Sequence, residues 1–307
     1  MKPLDFSSHR AWSDQHDMIS EFKTKKFPSL SICCSARSII MPDSVPSPEI
    51  VSADVAIREV LSIEEYDACI SLQREVFGLP DLEISPRRHL IVSREAGGWT
   101  LAAFNQGRIV GFVHHLAAAR GDEIFGYSHM MAVAPDFQNL GVGAKLKWAQ
   151  RARALAEGRD FIKWTFEPMR GRNAHFNLNR LGVVIRDYAV NFYGTDYVTN
   201  PVEKNAGASG MDSDRLFASW HLRSPRVEAF AAGRQFPLDA PEETIEIPAD
   251  FPALLKSDPD TAKREQLRVR QEFLALLSEG FVCRAFDRNA ARPKYLFYRS
   301  SGTDFSL

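Results

Sequence analysis

The chain has 307 residues, of which 45% are hydrophobic and 25% charged, so it is long enough for one large globular domain or two modest ones. Its 38 basic and 39 acidic residues leave a net charge of -1, which argues against nucleic acid or an anionic membrane as the general partner. No apolar run approaches the ~20 residues that a membrane-spanning helix requires. The four cysteines match no zinc-binding spacing. Together these features predict a reduced, soluble, cytoplasmic protein.

The first 50 residues differ from the rest of the chain. They are polar, they contain the Ser/Pro-rich stretch "MPDSVPSPEI", and they show no sustained period of 2 or 3.6. This composition predicts disorder in residues 1–50. Alternatively, Met41 is the natural start and the upstream part is an over-extended gene prediction. The sequence leaves both interpretations open.

A regular pattern begins at Ala53. "DVAIREV" alternates as a strand does, and a helix follows from Ser62, which forms a capping box with Glu65, to Gly78. "WTLAAFNQGRIVGFVHHLAAA" contains two strands around a turn at Asn105–Gly107. A third strand, "EIFGYSHMMAV", comes next. These elements predict an antiparallel sheet with a helix packed on it.

A glycine loop, a helix from Gly143 to about Glu157 and the buried strand "FIKWTF" continue the pattern. A short helix "NAHFNLNRL" and the strands "GVVIRDYAVNFYG" and "DRLFASWHL" complete a unit over residues 51–223. After Leu222, the strand "ETIEIPA", a helix over Pro259–Ser278 and the hairpin strands "FVCRAF" and "KYLFYR" indicate a smaller C-terminal α/β extension over residues 224–307.

The loop "APDFQNLGVG" lies between an apolar strand and a helix, and it carries Gln138, Gly141 and Gly143. The first N–H groups of a helix have no internal acceptors and point outward at its positive end. With glycines removing side-chain obstruction, these groups form an anion site suited to a pyrophosphate. Three cations would add positive charge from a solvated helix face: Lys145, Lys147 and Arg151.

Two other nucleotide motifs fit this loop less well. A Walker loop requires Gly-Lys-Ser/Thr, but Lys145 follows Ala144 and precedes Leu146. A dinucleotide fingerprint requires a third glycine where Leu146 stands.

The segment "HMMAVAPDFQNLGVGAKLKWAQ" resembles the strand–loop–helix signature of the GNAT superfamily of N-acetyltransferases, including its Q/R-x-x-G-x-G/A loop. "FNLNRLGVVI" is similar to a later family segment, and the element order fits over about residues 53–223. "WTFEPMRGRNAHFNLNRLG" and "SDRLFASWHL" look like a little-characterised bacterial branch. The resemblance implies an α/β fold with a mixed, mostly antiparallel sheet flanked by helices.

The resemblance also implies an activity: transfer of an acyl group from acetyl-CoA to the primary amine of a small molecule by direct attack. Acyl-CoA would bind where the strands over residues 125–133 and 161–166 splay apart, and the Met131 N–H would polarise the thioester carbonyl. Asn173 and Asn177 would face the cleft, although asparagine near a helix start is usually a cap. The residues expected to contact acyl-CoA are Met131, Ala132, Val133, Gln138, Asn139, Leu140, Gly141, Val142, Gly143, Ala144, Asn173 and Asn177.

A base must take a proton from the attacking amine. Because strand side chains alternate, Tyr127, His129 and Met131 are expected on one face. The resemblance places a base at His129 or Tyr127, and a histidine suits the task because its ordinary pKa is near neutrality. Alternatively, His129 is a core histidine near His114 or His115. Glu167 either binds the substrate amine or caps the following turn.

The general acid departs from the family pattern. Many family members carry a tyrosine four residues before the glycine that aligns with Gly182, but Leu178 stands there. Tyr193, Tyr188 or water could replace it; otherwise the thiolate, with its moderate pKa, leaves unassisted. No metal is expected, because the three histidines have no carboxylate or cysteine at ligand spacing.

Two broader questions also remain open. The absent tyrosine supports an alternative function, a non-catalytic acyl-CoA-binding regulatory module.

The acceptor pocket is expected to form from Gly78–Gly98, the segment after Tyr193 and the C-terminal extension. A homodimer is left open.

Overall fold

The computed structural model describes residues 54–195, 197 and 210–300, all within one compact unit. The disorder predicted for residues 1–50 lies outside the described residues. Ten strands are present in this part of the chain: β1 (Ala56–Glu59), β2 (Trp99–Asn105), β3 (Arg108–Arg120), β4 (Glu123–Val133), β5 (Phe161–Phe166), β6 (Val184–Ala189), β7 (Arg215–His221), β8 (Glu243–Glu246), β9 (Phe281–Asp287) and β10 (Lys294–Arg299).

Seven α-helices accompany the strands within the described ranges: α1 (Ile63–Phe77), α2 (Arg87–Glu95), α3 (Val142–Ala156), α4 (Gly171–His175), α5 (Pro225–Ala231), α6 (Phe251–Ser257) and α7 (Pro259–Ser278). Short 3-10 turns occupy Asp81–Glu83 and Pro135–Phe137, and α4 continues into a π-helical segment, Phe176–Leu181.

The strands form one sheet in the order β1-β2-β3-β4-β5-β7-β6-β9-β10-β8. Every neighbouring pair is antiparallel except β4 and β5, which are parallel and joined by the crossover helix α3. The predicted mixed, mostly antiparallel sheet flanked by helices is therefore confirmed. Strand β9 pairs with β6 at Cys283 and Ile185, so the strands of the C-terminal segment continue the same sheet. The division near residue 223 stays a proposal.

Local signals in the sequence explain several element boundaries. The Ser62 hydroxyl accepts the Glu65 N–H, the Glu65 carboxylate accepts the Ser62 N–H, and Gly78 ends α1 at φ 56°. The Asp258 side chain accepts the Thr261 N–H at the start of α7. Both helices have the predicted bounds.

Three helices were not predicted, and one strand is shorter than expected. Helix α2 lies within the expected loop Gly78–Gly98; its apolar residues Leu90, Ile91 and Val92 are consecutive, so no apolar residue recurs one helical turn later. Helices α5 and α6 are only seven residues each. Strand β6 ends at Ala189, because the chain turns over residues 190–193.

The sheet carries helices on both faces, and alternate side chains of each strand enter different cores. Helices α1 and α2 pack on one face against Ala102, Phe112 and Ala132. Helix α3 packs on the other face against Trp99, Leu101 and Val113. This arrangement leaves the parallel junction between β4 and β5 between helices of both faces.

Candidate active site

Strands β4 and β5 pair only at their starts. The ladder contains Gly126 with Ile162 and Tyr127 with Lys163, and no further pair joins the two strands over the described residues. Strand β4 nevertheless continues to Val133, and β5 continues to Phe166. The two strands therefore part after Tyr127 and leave an open slot between them.

The edge of β4 that faces this slot offers backbone donors. The Ala134 N–H donates to the Val110 carbonyl of β3 at 2.9 Å. Because hydrogen bonds alternate along an antiparallel pair, the N–H groups of Met131 and Val133 point away from β3 and toward the slot. By the same alternation, the N–H of Ala132 points toward β3. Of the three β4 residues predicted to contact acyl-CoA, only Met131 and Val133 present backbone donors to the slot.

The loop after β4 is held by its glutamine. The Gln138 amide donates to the Val133 carbonyl at 3.1 Å, which fixes the loop to the end of the strand. Asn139 and Gly141 adopt positive φ values of 63° and 79°, and Gly141 is the N-cap of α3. The sharp turn that these conformations produce directs the start of α3 toward the slot.

The first N–H groups of α3 are free to bind an anion. The Lys145 N–H donates to the Gly141 carbonyl, whereas the N–H groups of Val142, Gly143 and Ala144 have no acceptor among the described residues. They lie at the positive end of the helix dipole. A Cβ added at Gly143 would lie 3.6 Å from Met131 Cε, so this first turn of α3 packs directly on β4. These N–H groups therefore adjoin the slot.

A cavity of about 590 Å³ opens beside the slot. Its walls come from the α1–α2 region, β4, α3, β5, α4 with its π-helical continuation, β7 and the segment around Tyr193. Among the residues predicted to act in catalysis or to contact acyl-CoA, the following line it: His129, Met131, Glu167, Asn173, Asn177 and Tyr193. Tyr127 is outside this lining.

A β-bulge in β4 corrects one expectation. His114 of β3 pairs with Met130, and the next residue, His115, pairs with Ser128. His129 therefore has no partner in the ladder and is the extra residue of the bulge. As a result His129 and Met131 do not share a face. Met131 packs with Val142 and Leu146 of α3, whereas His129 lies near His89 of α2 on the opposite side of the sheet.

His129 is exposed to the cavity and bonded to one neighbour. Its Nε2 atom lies 3.3 Å from the Ser85 hydroxyl, and its ring centroid is 5.5 Å from that of His89. Partial burial of the ring in the cavity wall, followed by the nearby His89, lowers the pKa of His129 to about 4. The imidazole is then neutral near neutral pH and can accept a proton.

The two histidines of β3 belong to the core. His114 is fully buried and bonds to Thr100 and Ser93, and its ring centroid lies 6.0 Å from that of His129. His115 is stacked on Trp99 at 4.1 Å. Burial lowers the pKa of each to about 3. Across the described ranges, no cluster of His, Cys, Asp or Glu side chains is arranged to hold a metal ion.

Glu167 is held by two arginines. Its carboxylate accepts from Arg170 at 2.9 Å and from Arg215 at 3.2 Å. The Arg215 guanidinium, whose side chain is 7% exposed, also lies 5.0 Å from the Tyr193 ring centroid. This ion-paired carboxylate is better suited to fix Arg215 in the cavity wall than to take a proton.

The tyrosines differ in their access to the cavity. The Tyr193 hydroxyl lies 3.3 Å from that of Thr165 and reaches the cavity. Burial, followed by Tyr193, raises the pKa of Tyr127 to about 12, so its phenol remains protonated. Tyr188 donates to Asp214 at 2.6 Å and is outside the cavity lining. Leu178 is fully buried in the core. Tyr193 is the predicted acid candidate that the structure brings to the cavity.

Two of the three cations expected on a solvated face of α3 have other roles. Arg151 donates to the Leu222 carbonyl and pairs with Glu228. Lys147 is 2% exposed, points inward and lines the cavity. The sequence contains a signal for the inward position of Lys147. This residue and Gln150 fall on the same helical stripe as the buried Val142, Leu146 and Ala154.

Residues that were not predicted from the sequence complete the cavity. They are Gln73, Ser85, His89, Ser128, Tyr197 and Arg215, of which all but His89 line it directly. No motif marks them, since they come from separate elements.

The described part of the chain thus places an open slot between two parting strands beside a helix start whose first N–H groups have no acceptor. Residues 65–178 match the family model for the acetyltransferase (GNAT) family. This segment of the chain is therefore a GNAT acetyltransferase domain by its match to the family model.

Solved structures of similar fold include several acetyltransferases. The ribosomal-protein-S18-alanine N-acetyltransferase of Escherichia coli is 13% identical, with a TM-score of 0.42 over 54% of this chain and 92% of that one. A putative GNAT acetyltransferase of Desulfovibrio desulfuricans is 15% identical, with a TM-score of 0.44 over 55% and 99%. The NatC complex bound to Gag peptide and CoA has a matching chain at 14% identity and a TM-score of 0.43, over 55% and 99%. A comparison with curated protein sequences finds no match.

None of the helices in the described part of the chain combines the length and the apolar character needed to cross a membrane.

Proposed function

We propose that this chain is an acyl-CoA-dependent N-acyltransferase that uses acetyl-CoA and transfers its acetyl group to the primary amine of a small molecule. The observation that carries the proposal is the parting of β4 and β5 directly beside the free N–H groups of Val142, Gly143 and Ala144. The family match over residues 65–178 supports the reaction type.

The donor site combines an anion site with a strand edge. The diphosphate of acetyl-CoA would accept from the first N–H groups of α3. The amide groups of the pantetheine arm would then pair with the free edge of β4 at the Val133 N–H and the Met131 carbonyl, which leaves the Met131 N–H for the thioester. Asn177, which is buried and lines the cavity from the π-helical segment, would contact the same arm.

The acetyl group would be activated at β4. The N–H of Met131 points into the slot and would donate to the thioester carbonyl oxygen, which becomes negatively charged as the amine attacks. A preorganised backbone donor of this kind contributes about 3 kcal/mol of transition-state stabilisation. Holding the amine and the thioester together in one cavity supplies a further part of the rate.

His129 would act as the base for the attacking amine. It is exposed to the cavity, and it is neutral near neutral pH because its pKa is lowered to about 4. A base with this pKa accepts a proton from the positively charged nitrogen of the tetrahedral intermediate, which is far more acidic than a free ammonium group.

The acceptor side of the cavity carries both charge signs and aromatic rings. Glu83 and Glu167 supply carboxylates, Arg215 supplies a cation, and Tyr193 and Tyr197 supply aromatic faces. This mixture favours a small polar amine that also bears an acidic or hydrogen-bonding group.

A screen of small-molecule amines with acetyl-CoA, with the release of free thiol as the readout, tests the proposal. The expected result is amine-dependent thiol release above the rate of hydrolysis without amine. Binding of acetyl-CoA without thiol release for any amine would favour a regulatory module. Absence of acetyl-CoA binding would overturn the proposal.

A further inference from the structure

Lys147 is a buried lysine with no counter-ion among the described residues. It lies on α3, one turn after Gly143, and its side chain points between β4 and β5. Its ammonium nitrogen contacts the Ser128 hydroxyl at 2.8 Å, the Gln150 amide oxygen at 2.9 Å and the Trp164 ring centroid at 3.6 Å. Among the described residues, no carboxylate lies within ion-pair distance of it.

These three contacts fit the charged form of the lysine. An ammonium group has three N–H bonds, and two oxygens and one aromatic face accept them. The charge itself is uncompensated, and burial lowers the pKa of Lys147 well below its ordinary value. The titratable group next to this cluster is His115, which Gln150 contacts at 3.2 Å and which is neutral because burial lowers its pKa to about 3. Transfer of the ammonium proton to a neighbouring group would remove this uncompensated charge.

Ser128 has a donor that is not used within the described residues. Its hydroxyl oxygen accepts from Lys147, and its own O–H has no acceptor in that part of the chain. It lines the cavity while being 5% exposed. In β4 it is the first residue after the last pair with β5, so it lies at the closed end of the slot. A polar hydrogen there is available to whatever enters the slot.

The order of contacts along α3 indicates what reaches that end. Gly143, at the start of α3, packs near Met131 and Val133, whereas Lys147, one turn later, contacts Ser128. A ligand that binds with its diphosphate at the start of α3 therefore runs along β4 from Val133 toward Ser128. About five extended residues separate these positions, or roughly 16 Å. The reactive end of such a ligand is the part that comes nearest to Ser128.

We propose that Ser128 is a catalytic residue that protonates the departing thiolate, and that Lys147 is a positioning residue that supplies the proton through the Ser128 hydroxyl. The inference rests on the proposed function. It gives a physical basis for catalysis without a tyrosine at Leu178, whose side chain is fully buried in the core.

The atoms and protons of this step balance. The amine nitrogen bonds to the carbonyl carbon, the carbon–sulfur bond breaks, and its electron pair stays on sulfur. Ser128 gives its proton to the sulfur and takes one from the Lys147 ammonium. His129 takes the proton that the amine nitrogen loses. After the products leave, solvent entering the cavity returns a proton to Lys147 and receives one from His129.

Ser128→Ala tests the proposal with little change of shape, since it removes one oxygen. The matched control is Ser219→Ala, because Ser219 is also a buried serine of the same sheet but lies outside the cavity lining. Thermal unfolding would first show that both variants fold. We expect Ser128→Ala to lower kcat about 100-fold with less than about a threefold change in KM for acetyl-CoA. Ser219→Ala should retain kcat, and Ser128→Thr, which keeps the hydroxyl, should restore most of it.

A second readout measures the proton donor directly. The ultraviolet absorbance of the CoA thiolate, followed during a pH titration of the complex with CoA, gives the pKa of the bound thiol. A hydroxyl donor and a nearby ammonium stabilise the thiolate, so we expect this pKa to rise by about one unit in Ser128→Ala and in Lys147→Met. Ser128→Ala decides the question by itself if Lys147→Met does not fold.

Three results would overturn this inference. An unchanged kcat in Ser128→Ala would do so, as would an unchanged pKa of the bound thiol. Failure of the unaltered protein to bind CoA would overturn the proposed function, and with it this inference. The two failures are distinguishable, because CoA binding is measured before turnover.

Discussion

The Nε2 atom of His129 lies 3.3 Å from the Ser85 hydroxyl, and this contact joins β4 to the segment between α1 and α2. Ser85 is itself fixed by Gln73, a fully buried residue of α1: the Ser85 N–H donates to the Gln73 amide oxygen at 3.1 Å, and the Gln73 amide donates to the Ser85 carbonyl at 3.3 Å. The bulge at His129 and this clamp together hold the imidazole at the cavity. The proposed base is therefore positioned by elements far apart in the sequence.

Replacing His129 with alanine should lower kcat by about 10²-fold to 10⁴-fold. The pH–rate profile supplies the more specific evidence. With its pKa lowered to about 4, His129 is protonated only in acid, so the unaltered enzyme should lose activity as the pH falls toward about 4. His89 and His114 are the titratable groups around it. This fall in activity at low pH, the acid limb of the pH–rate profile, should disappear in His129→Ala. An acid limb that persists unchanged would exclude His129 as the base.

Ser85→Ala should have a smaller effect with the same acid limb. The hydroxyl orients the imidazole but takes no proton, so we expect about a tenfold fall in kcat. The matched control is Ser93→Ala, because Ser93 contacts the buried His114 rather than His129. Equal losses of kcat in the two variants would show that the contact between Ser85 and His129 has no special role.

Glu167→Gln should reduce stability more than it changes the pH–rate profile. The substitution leaves Arg215, which is almost fully buried, without its negative partner. Loss of one partner of a buried ion pair costs about 3–5 kcal/mol, and partial exposure of Glu167 should bring the cost below that range. Chemical unfolding measures the stability, and kcat measured against pH checks that the acid limb remains. Loss of that limb would instead identify Glu167 as the base.

The sequence predicted the sheet, the crossover helix and the glycine loop because each depends on local signals: alternation, helix caps and turn residues. The capping box at Ser62 and the helix over Pro259–Ser278 show how strong those signals are. Helix α2 was missed because its apolar residues, Leu90, Ile91 and Val92, are consecutive in a helix of nine residues and so show no helical period.

The cavity was predicted less completely than the loop. The bulge at His129 depends on the pairing of β3 with β4, and a one-residue shift there changes which side chains share a face. That is why Met131 and His129 were wrongly expected on the same side. Ser85 and Arg215 reach the cavity only through tertiary packing, which no local pattern encodes.

The buried histidines of β3 should make stability depend on pH. His114 and His115 are fully buried, and burial lowers the pKa of each to about 3. In the unfolded chain they titrate at their ordinary pKa of about 6.5. Above that pH both states are neutral, and as the pH falls below it the unfolded state binds protons that the folded state does not. The stabilisation is therefore present near neutral pH and lost in acid.

The expected loss at pH 5 is about 2 kcal/mol for each of these histidines. Urea unfolding at several pH values measures it. His115→Phe keeps a ring against Trp99 but cannot titrate, so the slope of unfolding free energy against pH should decrease by about one proton. An unchanged slope would show that His115 is protonated in the folded protein.

The central claim is that the first N–H groups of α3 bind the diphosphate of acyl-CoA. Ala144 lies in the first turn of α3 and is half-buried, so a longer side chain there can reach solvent. Ala144→Glu would place a negative charge at the positive end of the helix, which stabilises the helix but repels an anionic ligand. Ala144→Gln has the same size without the charge and is the matched control.

Calorimetric titration of the unaltered protein, Ala144→Gln and Ala144→Glu with CoA is the most direct measurement. We expect binding to the unaltered protein, similar or slightly weaker binding to Ala144→Gln, and at least about tenfold weaker binding to Ala144→Glu although its thermal stability is retained. Equal CoA affinity for the Glu and Gln variants, or no binding to the unaltered protein, would contradict the account.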